Sequence, residues 1–160
     1  MRNRRASLML AVLSVATLTG CGITIPADPD GTLDRVTDGT LRVGVSQSDP
    51  WTVTEGTGQP QGTEVDLVEA FAAHLDADIE WTAGGESDLV QALEAGDLDL
   101  VVGGFTDATP WESKAAVTQP YAESTAPDGG TARHVMLAPL GENAFLVELE
   151  HFLLDGEAER

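Results

Sequence analysis

The sequence predicts an α/β domain built on a mostly parallel sheet, and three observations predict it. Short β-rich runs at Leu41–Val45, Ile79–Trp81 and Leu98–Val102 alternate with longer stretches of helical spacing. Each run is separated from the next by enough chain for a crossover helix, which parallel neighbours require. The third run is nearly all apolar, the pattern of a central strand covered on both faces.

Residues 1–20 read as a lipoprotein signal peptide. Arg2, Arg4 and Arg5 make a positive start, the uncharged stretch Leu8 to Leu18 is too short to span a bilayer, and Leu18-Thr19-Gly20-Cys21 follows at once. An ordinary secretory signal shares the first two features. The resemblance to a bacterial lipobox therefore rests on Cys21, the chain's one cysteine, standing where lipidation needs it. Acyl methylenes bury at roughly 0.8 kcal/mol each, so the lipid would hold the protein on the outer face of the cell membrane. A single cysteine also excludes an internal disulfide.

The chain has 27 Asp and Glu against 8 Lys and Arg, a formal net charge of −19. Every acidic residue follows Cys21, and Arg2, Arg4 and Arg5 leave with the signal, so the mature chain is more acidic still. Such a field repels phosphates and argues against nucleic acid or an anionic lipid face as partner. A solvated acidic surface with no partner implied accounts for the charge better than any particular partner does. From Cys21 onward the chain is long enough to bury about two thirds of its unfolded surface without metal or disulfide staples.

Residues 21–32, rich in Pro, Asp and Gly, read as a tether. Leu33–Thr37 reads as a short helix stopped by Asp38-Gly39, Leu41–Val45 as the first strand, and Ser46 to Gly62 as a loop or hairpin. Thr63 opens a helix with Asp66 in the capping-box position, and Val65, Val68, Phe71, Ala72 and Leu75 share one face. The second strand follows at Ile79–Trp81. Ser87 is placed to cap the next helix, whose Leu89, Val90 and Leu93 face inward and whose end is Gly96. Past Gln119-Pro120-Tyr121, His134–Ala138 reads as one strand. Glu142–Asp155 reads as an amphipathic helix with Phe145, Leu146, Leu149, Phe152 and Leu153 inward and Gly156 as its stop.

Leu41 to Val45, Gly62-Thr63-Glu64-Val65-Asp66-Leu67, Gly96-Asp97-Leu98-Asp99, Gly103-Gly104-Phe105-Thr106 and Gln119-Pro120-Tyr121 stand in an order and spacing that resembles family 3 extracellular solute-binding proteins, the receptors of ABC importers for amino acids and related polar solutes. The resemblance implies a single-lobe, periplasmic-binding-protein-like three-layer sandwich with a mostly parallel sheet and one returning C-terminal strand, His134 to Leu154 folding back beside Leu41–Val45. The family inserts a second lobe after the Pro-Tyr. Residues 122–131 (AESTAPDGGT) stand there instead, so 33–160 reads as one lobe with the other missing.

By position, the resemblance implies ligand contacts in the loops after the first and third strands. Trp51 matches an aromatic that packs on the solute, or is a surface-loop tryptophan. Gly103 and Gly104 let backbone N–H groups approach a carboxylate, with Phe105 beside them and the Thr106 hydroxyl as a further donor, or merely end a buried strand. Asp107 is placed to meet an ammonium or to cap the following turn; Asp66, also in the motif, is better explained by capping. Trp111 falls where amino-acid receptors of the family carry the arginine that clamps an α-carboxylate. An indole cannot replace a guanidinium, which argues against a free α-amino acid bound in the usual manner; Lys114 is the nearest substitute cation.

No catalytic residue, cofactor or metal site is expected. His74, His134 and His151 have no metal or triad spacing, and Ser46 and Ser48 lack a nucleophile elbow. The expectation is a membrane-anchored, extracytoplasmic binding protein and not an enzyme, taking a small polar solute weakly or with a partner, either an ABC permease or a second lobe-like protein. Two alternatives stand beside it: an interaction or degenerate module without solute binding, and a dehydratase-like enzyme.

Overall fold

The computed structural model describes residues 28–54 and 59–158, with side chains up to residue 155 at the C-terminal end. The signal peptide, Cys21 and most of the tether lie outside the described residues. Within them the chain runs α1 (Thr32–Val36), β1 (Thr40–Val45), α2 (Thr63–His74), β2 (Asp78–Ala83), α3 (Glu86–Glu94), β3 (Leu100–Val102), β4 (Ala116–Val117), β5 (Ala122–Thr125), β6 (Thr131–His134), β7 (Leu137–Ala138) and α4 (Asn143–Ala158). No described helix is long and apolar enough to cross a membrane.

One sheet has the order β2-β1-β3-β7-β4. β1 is parallel to both β2 and β3, while β7 runs antiparallel to β3 and β4, so β7 alone opposes the rest. That is the mostly parallel sheet with one returning strand. The return pairs with β3, one strand further out than the expected place beside Leu41–Val45.

Successive side chains on a strand point to opposite faces, and the sheet accordingly divides two cores. Leu41, Val43, Val45, Leu100 and Val102 face a core shared with Phe71 of α2 and Phe145 and Leu149 of α4. Val101 and Leu137 face the other, with Leu89, Val90 and Leu93 of α3. Phe71 meets Phe145 edge-on at 5.9 Å between ring centroids. Helices on both faces give three layers.

Tertiary contacts replace several local signals. Thr63 does not cap α2: it is already inside the helix, the cap residue is Gly62, and no side-chain cap bond forms. The first N–H groups instead donate to loop carbonyls, Glu64 N to Trp51 O at 3.0 Å and Thr63 N to Pro50 O at 3.4 Å. The loop lies so close that a Cβ on Gly62, which sits at φ +127°, would stand 2.3 Å from Trp51 O. Ser87 likewise lies inside α3, whose cap is Gly85.

His134–Ala138 is not one strand. β6 ends at His134, Val135 N then bonds Phe105 O, and Met136 N bonds the Thr118 hydroxyl before β7 begins. Nor does Gly156 stop α4, which runs through it to Ala158. Residues 122–131 form β5, a turn and the start of β6. Ala126 N donates to Gly130 O and Gly129 N to Ala126 O, so these two strands are joined directly to each other.

The chain near the tether is bound to the start of α4 by exchanged carboxylates. Asp28 Oδ1 accepts from Ala144 N and Phe145 N at 2.7 and 3.1 Å, while Glu142 accepts from Asp30 N and Thr32 N at 3.0 and 2.9 Å. Each acid occupies the N-terminus of the other's helix, where N–H groups lack intrahelical partners. Burial alone would raise the Glu142 pKa, but these N–H bonds and the nearby Arg35 charge hold it below the usual range.

Candidate functional site

Parallel β1 and β3 bring the ends of both strands to one edge of the sheet, and there most of the residues expected in a site gather. After β1 the chain turns tightly, Ser48 and Thr52 exchanging N–H···O bonds of 2.8 and 2.9 Å. The turn presents Trp51, whose ring stacks on His134 with centroids 3.7 Å apart and planes 28° apart. After β3, Gly104 lies under the same turn at φ +66°. A Cβ there would stand 2.3 Å from Ser48 Oγ and 3.2 Å from Trp51 Cδ1. Gly104→Ala is therefore expected to cost about 1–3 kcal/mol, from the left-handed backbone and the crowding together. Urea unfolding measures it; an unchanged midpoint would mean that Ser48 and Trp51 simply move aside.

The N–H groups of Gly103 and Gly104 do approach a carboxylate, and it is the protein's own. Both donate to Glu64 Oε2 at 2.9 Å, and the Tyr121 hydroxyl donates to Glu64 Oε1. Glu64 is wholly buried. Burial pushes its pKa up, against the lowering effect of the three donors, and the same burial beside Glu64 pushes the Tyr121 phenol far up. The nest after β3 is thus filled from inside.

The remaining candidates divide. Thr106 forms an isolated bridge to His134, and Asp107 pairs with Arg133 while its N–H bonds Arg133 O at 2.9 Å. These place Thr106 beside the Trp51–His134 stack but commit the Asp107 carboxylate to a partner. Phe105 is buried in the core on the α3 side. Trp111 packs half-buried against that core, its indole N–H 3.4 Å from Glu86 Oε2. Lys114 is no substitute clamp: its Nζ is 2.9 Å from Glu94, at the far end of α3. Asp66 is exposed and makes no cap bond.

Glu64, Tyr121 and His134 are the structural centre of this face, and reading the sequence singled out none of them as such. Glu64 carried a usable signal. It lies four residues before Val68 and seven before Phe71, on the apolar face of α2, and a charge on such a face needs partners. His134 is 3% exposed, with Nε2 2.8 Å from Ser124 Oγ and Nδ1 without a partner. Burial holds its pKa down, which favours the neutral form of the stacked ring. Among the described residues, no three His, Cys, Asp or Glu gather as a metal set.

Comparison with known proteins places this arrangement. The profile of bacterial extracellular solute-binding proteins, family 3, matches residues 41–128. Two curated relatives are both named membrane-bound lytic murein transglycosylase F. That of Maricaulis maris is 35% identical over 126 residues, 76% of this chain and 27% of its own length; that of Desulfosudis oleivorans is 37% identical over 62 residues, 39% and 14%. The chain thus spans less than a third of the length of these relatives. The expectation that the protein is not an enzyme is overturned here, since both relatives, matched through this region, are named as enzymes.

Among solved structures, a variant of the arginine-bound form of domain 1 from TmArgBP superposes with a TM-score of 0.69 at 20% identity, covering 79% of this chain and 98% of that one. An ancestral cationic amino acid solute-binding protein gives 0.69 at 16%, covering 80% and 94%. The L-cystine solute receptor of Neisseria gonorrhoeae, unliganded and open, gives 0.66 at 12%, covering 79% and 91%. At these identities the likeness is one of fold.

Proposed function

The chain belongs to the bacterial extracellular solute-binding proteins of family 3, and from that premise we propose that it is a lipid-anchored recognition lobe for a small polar solute. The observation that carries the reading is the stacked Trp51–His134 pair beside Gly104 and Thr106, at the strand ends where open α/β sheets receive ligands. Because Glu64 occupies the Gly103 and Gly104 N–H groups, the solute is held through the indole face and the Thr106 hydroxyl rather than by a carboxylate in that nest.

Small-ligand sites enclose about 70–90% of their ligand, and one lobe offers a single wall. Binding is accordingly weak unless a permease or a second lobe-like protein supplies the other wall. A domain 1 described as arginine-bound exists in TmArgBP, which supports ligand binding by one lobe of this fold. Calorimetry of the mature chain against amino acids, sugars and polyols tests the proposal. Trp51→Ala is expected to weaken whichever solute binds by about tenfold, the loss of one aromatic contact. A panel without saturable binding, or a solute indifferent to Trp51, would remove it.

Lipidation of Cys21 would hold the lobe outside the cytoplasm on the cell membrane. Cys21→Ser is then expected to move the protein from the membrane fraction to the soluble one, and equal fractionation of the two forms would refute anchoring. ABC-type import is the setting the family suggests. A second setting is favoured by the identity to the two transglycosylases: the lobe serves a murein-cleaving enzyme and its solute is a soluble murein fragment. Adding such fragments to the calorimetric panel separates the two.

A further inference from the structure

We propose that the groove at the N-terminal ends of β1 and β3 is a second binding site, taking a zwitterion with a free ammonium and a free carboxylate, such as an amino acid or short peptide. The groove has a volume of about 630 Å³, within the range of small-molecule sites. It lies at the opposite end of the parallel strands from Trp51. Arg35, Arg42 and Lys114 line it, leaving only Arg133 elsewhere among the described Lys and Arg side chains.

One wall suits a carboxylate. Arg35 and Arg42 both grip Asp99, Arg35 through Nη1 and Nη2 at 3.2 and 2.5 Å and Arg42 through Nε and Nη2 at 3.0 and 2.6 Å. Asp99 is fully buried, while the Arg35 and Arg42 side chains are 43% and 29% exposed. Each guanidinium carries five N–H donors, so each keeps some unused. Held side by side by one carboxylate, the two planar groups are preorganised for a second.

The other wall suits an ammonium. It is the C-terminal end of α3, where Glu94, Ala95 and Gly96 line the groove and the helix dipole favours positive charge. The Glu94 carboxylate already holds one ammonium there, with Lys114 Nζ 2.9 Å away. Both partners of that pair are well exposed, and an exposed pair of this kind is readily exchanged. Asp30 and Glu142 also line the groove and offset the arginine charge, so a simple anion finds no surplus. The net charge of −19 repels anions generally. A zwitterion escapes that repulsion and can use both walls.

The experiment is a titration of the ¹⁵N-labelled mature chain with Ala-Ala, N-acetyl-Ala-Ala and Ala-Ala amide, following the amides of Arg42, Gly96 and Lys114 against those of Gly104 and Thr106. Ala-Ala is expected to shift the first group saturably, and blocking either terminus to weaken binding by about tenfold or more, the loss of a charge-assisted contact. Arg35→Gln should weaken it similarly, and Trp51→Ala should leave it unchanged. Lys114→Ala, a solvent-side change that leaves the core alone, should tighten binding by freeing Glu94. The proposal is overturned by absence of saturable shifts around the groove, by equal affinity for the blocked peptides, by a Lys114→Ala affinity that falls, or by binding that Trp51→Ala removes. The last result would assign the peptide to the solute face instead.

Discussion

Replacing Glu64 with alanine is expected to lower the unfolding free energy by about 4 kcal/mol. The substitution strips the acceptor from Gly103 N–H, Gly104 N–H and the Tyr121 hydroxyl, and each buried donor left without a partner costs about 1–3 kcal/mol. A cavity adds to the loss. Domains of this kind have about 5–15 kcal/mol in all, so the variant would be close to unfolded at ordinary temperature. Glu64→Gln keeps the shape and an oxygen for both glycines, and should lose only about 1 kcal/mol. Urea unfolding decides between them, and an alanine variant within about 1 kcal/mol of the parent would show that Glu64 is not the anchor of the loop after β3.

Glu64 also predicts a pH dependence with a definite sign. Burial raises its pKa above the ordinary 4.5, so the folded state holds this proton more tightly than the unfolded state does. The resulting stabilisation is fully present below pH 4.5 and is lost as pH rises through the raised folded value. The stability of the parent minus that of Glu64→Gln should therefore decline with rising pH across that window. Parallel curves would rule the shift out.

Asp99→Ala is expected to cost about 3 kcal/mol. It removes a fully buried carboxylate and leaves two guanidiniums facing each other. Breaking such a pair usually costs about 3–5 kcal/mol, and the lower figure applies because Arg35 is 43% exposed and partly screened by water. Burial alone would raise the Asp99 pKa, but the bonds from Arg42 and Arg35 together with the Arg42 backbone N–H outweigh it and lower the value from 3.8. The sign is opposite to that of Glu64: this stabilisation is present above pH 3.8 and is lost as pH falls through the lowered folded value. Acid titration of the unfolding midpoint should show a low-pH loss that is deeper in the parent than in Asp99→Ala, which keeps the contribution of Glu142. An acid limb of equal depth in both would sink the assignment.

The two acids show why parts of the site escaped a reading of the sequence. Glu64 sits in a motif whose spacing was legible, and its place on the inner face of α2 follows from helical period alone. Its partners, however, are 39 and 40 residues away in the glycine loop and 57 away at Tyr121. Asp99 bonds Arg35 and Arg42 across 64 and 57 residues. The caps failed for a related reason. Thr63 and Ser87 have the right chemistry, but the carbonyls of Pro50 and Trp51 already satisfy the start of α2, and Gly85 stands at the cap of α3. Trp51, Gly104 and Thr106 could be placed together from the sequence because the loops after parallel strands share one edge of the sheet; Phe105 is buried in the core and Trp111 packs half-buried against it because apolar rings gain from leaving water.

By itself the sequence determined the first three strands and the helices that follow them, that the third strand is central, and that a glycine pair follows it, because hydrophobic period and backbone freedom depend on near neighbours. Only the tertiary structure decided that Glu64 fills the glycine nest, that β7 returns beside β3, that residues 122–131 join β5 to β6, and that three cations gather in one groove. Those outcomes depend on which distant segments share a face once the sheet has formed, and a buried carboxylate takes whichever donors that packing brings within reach.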